Sequence, residues 1–241
     1  MPREDAGVSD SCFVPAWRAA DARGAVVVVD VLRAFTTAAY AFAAGARRIW
    51  LVESVEEGLA LKSRLPGAAA MGEDRGYRIP GFDFSNSPAE LEAADLTGRD
   101  VVQRTSAGTR GAVAASAADR RWCASLVCAS ATAAAVTASA LGPPTYVITG
   151  WRDEHHPGED DHLTARLIER ARTGRPLDAV ATANAVAASR EAEVTLALGP
   201  DHTDPRDVDL ATRVDAFGFA MEAHPHADGL FLLPHSDPAG S

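Results

Sequence analysis

Basic residues are in the minority in this sequence. Lys and Arg number 23 against 33 Asp and Glu, which gives a formal net charge of −10. Because a nucleic-acid backbone is bound through a basic footprint, this balance argues against a nucleic-acid-binding protein. It also means that an anionic ligand must be captured by local arginine side chains or by a metal ion.

Cysteine is scarce. The sequence has Cys12, Cys123 and Cys128, an odd number without regular spacing. This pattern argues against a disulfide framework and against a structural zinc site. Cys123 and Cys128 lie in an apolar run, so we predict that both are buried core thiols.

Long apolar runs are absent. No stretch reaches the roughly 20 residues of a membrane-spanning helix, and the first residues lack a signal-peptide apolar region. We therefore expect a cytoplasmic protein that does not bind membranes. Its 241 residues predict a single α/β domain, with residues 1–10 and 236–241 flexible. Base rates favour a homodimer.

Short apolar runs alternate with helical segments over the first 150 residues. The run 25–30 (AVVVVD) predicts a strand buried on both faces, and Ser54 with Glu57 three residues later predicts a helix start. Short crossovers of this kind indicate a mostly parallel sheet. A fifth strand is predicted over 122–130 (WCASLVCAS). Beyond it, the pattern predicts helices over 176–192 and 208–223 and a closing strand over 228–235.

Polar residues follow four of the predicted strands, where open parallel sheets bind ligands. Asp30 follows the first strand and can hold a metal ion or activate water. Arg33 and Thr36 open the next helix, where backbone amides favour anions. The alternative for Asp30 is a helix N-cap.

The other three strand ends carry similar chemistry. Glu73 begins a long polar loop that continues to Ser87, and the turn 105–109 can present amides to a phosphate. A carboxylate run over 159–161 suits a hard cation such as Mg²⁺, although it also complements a helix dipole. His155 and His156 leave a zinc hydrolase open as a further alternative.

These segments together resemble the 2-phosphosulfolactate phosphatase family. DVLRAFTT is similar to the family's DVLRATTT, and GEDRGYRIPGFDFSNSPAE to its GERGG…PGFDLGNSPLE. RTSAGTRG resembles the TTNGT turn, and GEDD falls where the family has a Gly followed by a Glu-Asp pair. The resemblance runs from about residue 26 to residue 170, with the motifs in the same order.

The resemblance implies a three-layer α/β/α sandwich, dependence on Mg²⁺, and hydrolysis of a small anionic phosphate ester of a 2-hydroxy acid. The residues that it and the motifs assign are Asp30, Arg33 and Glu73 as catalytic; Glu159, Asp160 and Asp30 as metal ligands; and Thr36, Arg75, Asp83, Asn86, Ser87, Thr105, Ser106, Gly108 and Thr109 as substrate-binding.

Two positions depart from the family pattern. Ala107 stands in place of the Asn of the TTNGT turn, which removes a side-chain amide. Asp74 stands where the family often has Arg, which removes an anion contact. The substrate can therefore differ from phosphosulfolactate, and the alternative function is a non-catalytic relative that binds a small phosphorylated acid.

Overall fold

A computed structural model describes residues 11–176 and 178–235. Its strands are β1 (Cys12–Pro15), β2 (Ala25–Val29), β3 (Arg48–Val52), β4 (Ala69–Asp74), β5 (Tyr77–Arg78), β6 (Phe84–Ser85), β7 (Asp100–Arg104), β8 (Arg120–Ala124), β9 (Thr145–Ile148), β10 (Trp151–Asp153), β11 (His156–Pro157), β12 (Ala220–His226) and β13 (Gly229–His235). The flexibility predicted for residues 1–10 and 236–241 lies outside the described residues.

The α-helices of the described residues follow the strands in alternation through most of the chain. They are α1 (Ala34–Ala43), α2 (Val55–Arg64), α3 (Pro88–Glu92), α4 (Gly108–Ala114), α5 (Ala129–Ala138), α6 (Glu159–Arg172), α7 (Ala179–Ala187), α8 (Arg190–Leu196) and α9 (Arg206–Ala211). Short 3₁₀ helices cover Ala16–Asp21 and Leu126–Cys128. Ser54 caps α2 by accepting a hydrogen bond from the Glu57 amide, as predicted.

The central sheet has the strand order β1-β9-β2-β8-β12-β13-β3-β7-β4, with β5 and β6 pairing with β4. The strands on either side of the β12–β13 hairpin form two parallel sets. The hairpin pairs antiparallel with β8 and with β3, so it joins the two sets into one sheet. The prediction of a mostly parallel sheet is confirmed.

Helices cover both faces of the sheet. Along β2, Val26 and Val28 face a core that also contains apolar residues of α1 and α4. Val27 and Val29 face a second core with residues of α5 and α6. Alternate residues of β2 thus face opposite sides of the sheet. Because helices cover both sides, residues on both faces of the strand are apolar. The expected three-layer α/β/α sandwich is confirmed.

Two crossovers bring distant strand ends together. Helix α1 carries the chain from β2 to β3, and α4 carries it back from β7 to β8, so each spans the hairpin. A Cβ atom on Gly108, the first residue of α4, would lie 2.7 Å from Asp30 Oδ2. The glycine thus lets the end of β7 approach the end of β2 closely.

The C-terminal predictions needed correction. The predicted helix over 176–192 is two helices, because Ser189 accepts a hydrogen bond from the Ala192 amide and starts α8. The predicted helix over 208–223 is wrong: α9 ends at Ala211, and β12 follows. Phe217, Phe219, Met221 and Ala223 all pack on one core, so their alternation was the strand signal.

Smaller differences concern β1 and β8. Strand β1 was not predicted. Strand β8 begins at Arg120, and it ends at Ala124 because the chain then turns into the 3₁₀ helix Leu126–Cys128. Cys123 and Cys128 are buried and free, as predicted. Within the described ranges, no helix is long and apolar enough to cross a bilayer. The cytoplasmic location and the homodimer stay predictions.

Gly72 in β4 is essential to the approach of β4 and β7. Its φ is +141°, and a Cβ atom there would lie 1.9 Å from the Arg104 carbonyl oxygen. We expect Gly72→Ala to lower the free energy of unfolding by about 3 kcal/mol, because strand pairing beside Glu73 would have to open. Denaturant titration measures this. Gly218→Ala is the control, since no atom lies within 4 Å of its added Cβ. Equal stability of both variants would contradict this packing.

Candidate active site

Asp30 lies directly after β2 and is 7% exposed. Its Oδ1 accepts the amide of Ala34, the first residue of α1, at 2.9 Å, and its Oδ2 lies 3.1 Å from the Thr149 hydroxyl after β9. Burial raises the pKa of Asp30 to about 6, although the Ala34 and Gly108 amides and Thr149 oppose the shift. The N-cap residue of α1 is Arg33, so the N-cap alternative for Asp30 is wrong, although Asp30 accepts the first amide of that helix.

Two further buried carboxylates begin α6. Asp161 accepts hydrogen bonds from the Val31 and Gly150 amides at 2.9 and 2.8 Å. Asp160 is 3% exposed, and its Oδ1 has no hydrogen-bond partner among residues 11–176 and 178–235. Burial, Glu191 and Asp30 raise the pKa of Asp160 to about 8. If ionised, these carboxylates would place like charges together in a buried part of the molecule, which is costly without a counter-ion.

Glu73 at the end of β4 organises the turn after β7. Its carboxylate accepts hydrogen bonds from the amide and the hydroxyl of Ser106, and from the Gly76 amide. Thr105 and Thr109 close the turn, since the amide of each donates to the side-chain oxygen of the other at 2.9 and 3.0 Å. The turn is therefore rigid, with Thr105, Ser106 and Ala107 facing a cleft.

Arg33 is fixed by a buried ion pair. Its guanidinium donates to Asp207 Oδ2 at 2.8 Å, and both side chains are almost fully buried. Asp207 Oδ1 accepts the Ser87 hydroxyl at 2.6 Å and the Ala89 amide at 3.1 Å. Asp207 therefore ties the start of α1 to the start of α3, next to Asn86. Asn86 Oδ1 is buried without a hydrogen-bond partner.

Two adjoining clefts open above these strand ends. The larger has a volume of about 900 Å³, and the smaller about 210 Å³. Asp30, Ala107 and Thr149 line both. The larger contains Arg33, Glu73, Arg75, Asn86, Thr105 and Ser106, and the smaller contains Asp160, Asp161 and Glu191. Most predicted site residues are thus brought together, whereas their individual roles stay predictions.

Three predicted residues lie elsewhere. Asp83, which was predicted to bind substrate, lies at the start of β4 and away from Glu73. It accepts the Ala70 amide and pairs with Lys62 at 2.8 Å. Thr36 is buried and donates to the Val31 carbonyl, and Glu159 is exposed. None of the three lines a cleft. Three other predicted residues contact site residues without lining a cleft. Gly108 lies against Asp30, Thr109 bonds to Thr105, and Ser87 donates to Asp207.

Comparison with known proteins identifies the family. The model of the 2-phosphosulpholactate phosphatase family matches residues 13–202. The chain belongs to the 2-phosphosulfolactate phosphatase family. The match includes β1, which the motifs did not reach, and α8, whose residues line the smaller cleft.

Curated relatives agree with this assignment. The chain is 42% identical over 89 residues to a probable 2-phosphosulfolactate phosphatase of Bacillus subtilis, covering 37% of this chain and 39% of that protein. It is 38% identical over 143 residues to one of Deinococcus radiodurans and 40% over 144 residues to one of Thermus thermophilus, covering 59% of each chain. The matches thus span less than two thirds of these relatives.

Sequence reasoning missed part of the site in this member of the family. Thr149 follows β9, so its strand-end position was an available signal, and Asp161 adjoins the predicted Asp160. Glu191 of α8 lines the smaller cleft with one carboxylate oxygen, Oε2, buried and unpartnered. No signal pointed to Glu191, because it comes from a helix far along the chain.

Unpaired arginines surround the carboxylates. Arg75 and Arg110 line the larger cleft, Arg190 lines the smaller, and Arg152 lines both. Among the described residues, none of these four guanidinium groups makes a hydrogen bond or ion pair, whereas Arg104 pairs with Asp74 at 2.8 Å. In an acidic protein, free cations at a cleft are suited to capture an anion.

The smaller cleft is chemically suited to Mg²⁺. Asp160 Oδ1 and Glu191 Oε2 are buried oxygens without partners, and Mg²⁺ binds one or two carboxylates with water and phosphate oxygens. Across residues 11–176 and 178–235, no three His, Cys, Asp or Glu side chains form a ready metal site. His156 instead contacts Asp153 at 2.8 Å. These two oxygens would therefore suit a two-carboxylate site, and the zinc alternative stays an untested prediction.

Asp160→Asn is expected to stabilise the metal-free protein. The folded pKa of about 8 exceeds the ordinary 3.8, so stability present at low pH is lost as the pH rises through 8. We expect the Tm of Asp160→Asn in EDTA at pH 8 to exceed that of the unsubstituted protein by about 3 °C or more, and the difference to shrink at pH 5. Exposed Glu159→Gln is the control. A lower Tm for Asp160→Asn than for the unsubstituted protein at pH 8 would contradict the conclusion that ionised Asp160 destabilises the fold.

Proposed function

We propose that this chain is a magnesium-dependent phosphatase that hydrolyses the phosphate ester of a small 2-hydroxy acid of the 2-phosphosulfolactate class. The main support is the meeting of buried carboxylates with unpaired arginines in two joined clefts. Family membership supports the same reaction, because the curated relatives carry the name of this phosphatase.

Arginine side chains are proposed to bind the anionic groups. Within the part of the chain that the structure describes, Arg75, Arg110 and Arg152 carry no ion pair that an incoming phosphate or carboxylate would have to displace. Arg33 is proposed to act as a fixed cation in the cleft wall, since Asp207 already holds its guanidinium at 2.8 Å. Amides of the turn 105–109 are proposed to orient the phosphate.

Asp160 and Glu191 are proposed to hold the magnesium ion. An ion held there would supply positive charge against the phosphoryl oxygens and would make a water molecule more acidic. Asp30 is proposed as the general base, because it lines both clefts and only its Oδ1 accepts the Ala34 amide. The Thr149 hydroxyl lies 3.1 Å from the Asp30 carboxylate and 3.2 Å from the Asp161 carboxylate. Thr149 and Asp161 thus keep Asp30 in place.

The rival function is binding without turnover. Ala107 lines both clefts at the position where the family's turn has Asn, so one side-chain amide is missing from the floor of the site. A relative of this kind would retain the arginines but release no phosphate. Ligand-induced stabilisation without turnover would favour this function.

Phosphate release separates the two functions. The panel contains phosphosulfolactate and phospholactate, each with Mg²⁺ and with EDTA. We expect Mg²⁺-dependent release from at least one ester. Asp30→Asn and Asp160→Asn should each lower turnover by about 100-fold or more, because general-base and metal contributions are of that size. Glu191→Gln should weaken Mg²⁺ binding in calorimetry.

Glu159→Gln is the matched control, since Glu159 precedes Asp160 in α6 but is exposed. It should retain turnover and Mg²⁺ binding. Full turnover by Asp30→Asn and Asp160→Asn would contradict the proposed roles. Absence of release from every ester by the folded protein would favour the binding function.

A further inference from the structure

The larger cleft has an apolar side that the proposed chemistry does not use. Trp17, Trp151, Val194 and Leu198 line it, and we call these four side chains the apolar shelf. Ala16 and Ala20, from the same 3₁₀ helix as Trp17, line the cleft as well. The shelf is thus assembled from three separate parts of the chain.

Two shelf residues are exposed to an unusual extent for large apolar side chains. Trp17 is 61% exposed and Val194 is 56% exposed. The Trp17 and Trp151 rings meet edge to face, with centroids 6.4 Å apart. Exposed apolar groups gathered in a concave site with a few polar groups are typical of ligand-binding surfaces. The shelf therefore offers area that a ligand can bury.

The shelf is continuous with the candidate active site. Asp30, Glu73, Arg75 and Ser106 line the same cleft as Trp17 and Trp151. Its volume of about 900 Å³ is at the upper end for small-molecule pockets, more than a three-carbon phosphorylated acid fills. Ala107, where the family's turn has Asn, adds a small apolar side chain to the cleft instead of an amide.

We propose that the substrate of this chain carries an aromatic substituent that packs on the apolar shelf, in place of the sulfonate of phosphosulfolactate. The inference rests on the proposed phosphatase function and specifies its substrate class: 2-phosphorylated 3-aryl-2-hydroxy acids. The phosphate and carboxylate bind the arginines, and the ring covers the exposed indole of Trp17. Trp17 is then a specificity-determining residue outside the reacting centre.

The test compares two esters that differ only in the substituent: 2-phospho-3-phenyllactate and 2-phospholactate. We expect kcat/KM with Mg²⁺ to be about tenfold higher for the phenyl ester, because the ring buries apolar area on the shelf. Trp17→Ala should remove most of that preference while leaving the phospholactate value within about twofold. Phosphosulfolactate should be no better a substrate than phospholactate.

Leu141→Ala is the control for loss of an exposed apolar side chain, since Leu141 is 38% exposed and lines neither cleft. It should leave both kcat/KM values unchanged. Equal kcat/KM for the two esters, or an equal loss for both in Trp17→Ala, would overturn the proposal. A preference for phosphosulfolactate above the phenyl ester would overturn it as well.

Failure of the phosphatase function is separable from failure of this inference. If no ester is hydrolysed, the quenching of tryptophan fluorescence by the same two esters gives their affinities directly. Binding of the phenyl ester about tenfold tighter than phospholactate, lost in Trp17→Ala, would support the shelf without turnover. Equal affinities would overturn it.

Discussion

The burial of several carboxylates at one end of the sheet is the constraint on which the site depends. Asp30, Asp160 and Asp161 are each at least nine-tenths buried, and each raises the cost of ionising the others. A fold tolerates such a group of like charges when amides, hydroxyls or a cation compensate it. Here the Ala34, Val31 and Gly150 amides compensate Asp30 and Asp161, and Asp160 is left with an unpartnered oxygen.

The sheet topology explains how these groups meet. The β12–β13 hairpin separates β2 from β7, yet α1 and α4 cross it and place Gly108 against Asp30. Gly72 lets β4 and β7 approach, so Glu73 can hold the Ser106 turn. Asp207 then ties Arg33 to Ser87 across two helix starts. Each contact joins segments that are distant in sequence, and together they form the walls of two joined clefts.

Local patterns allowed the first two thirds of the fold to be predicted, because buried parallel strands are short apolar runs with clear helix starts between them. Asp30, Glu73 and Asp160 were found because strand ends and helix starts are local signals. Glu191 and Asp207 were not found, since only tertiary packing brings α8 and α9 to the site. The role of Asp83 stays a prediction: its motif is contiguous in sequence with Glu73, whereas its side chain lies at the start of β4 and accepts the Ala70 amide.

A divalent cation and a phosphate group are proposed to bind side by side between the carboxylates and the arginines. The most direct measurement is the ³¹P relaxation of inorganic phosphate with Mn²⁺ as the paramagnetic ion. We expect much faster relaxation with protein and Mn²⁺ together than with Mn²⁺ alone, and loss of that enhancement in Asp160→Asn. Enhancement that is absent, or that is unchanged in Asp160→Asn, would contradict a shared site.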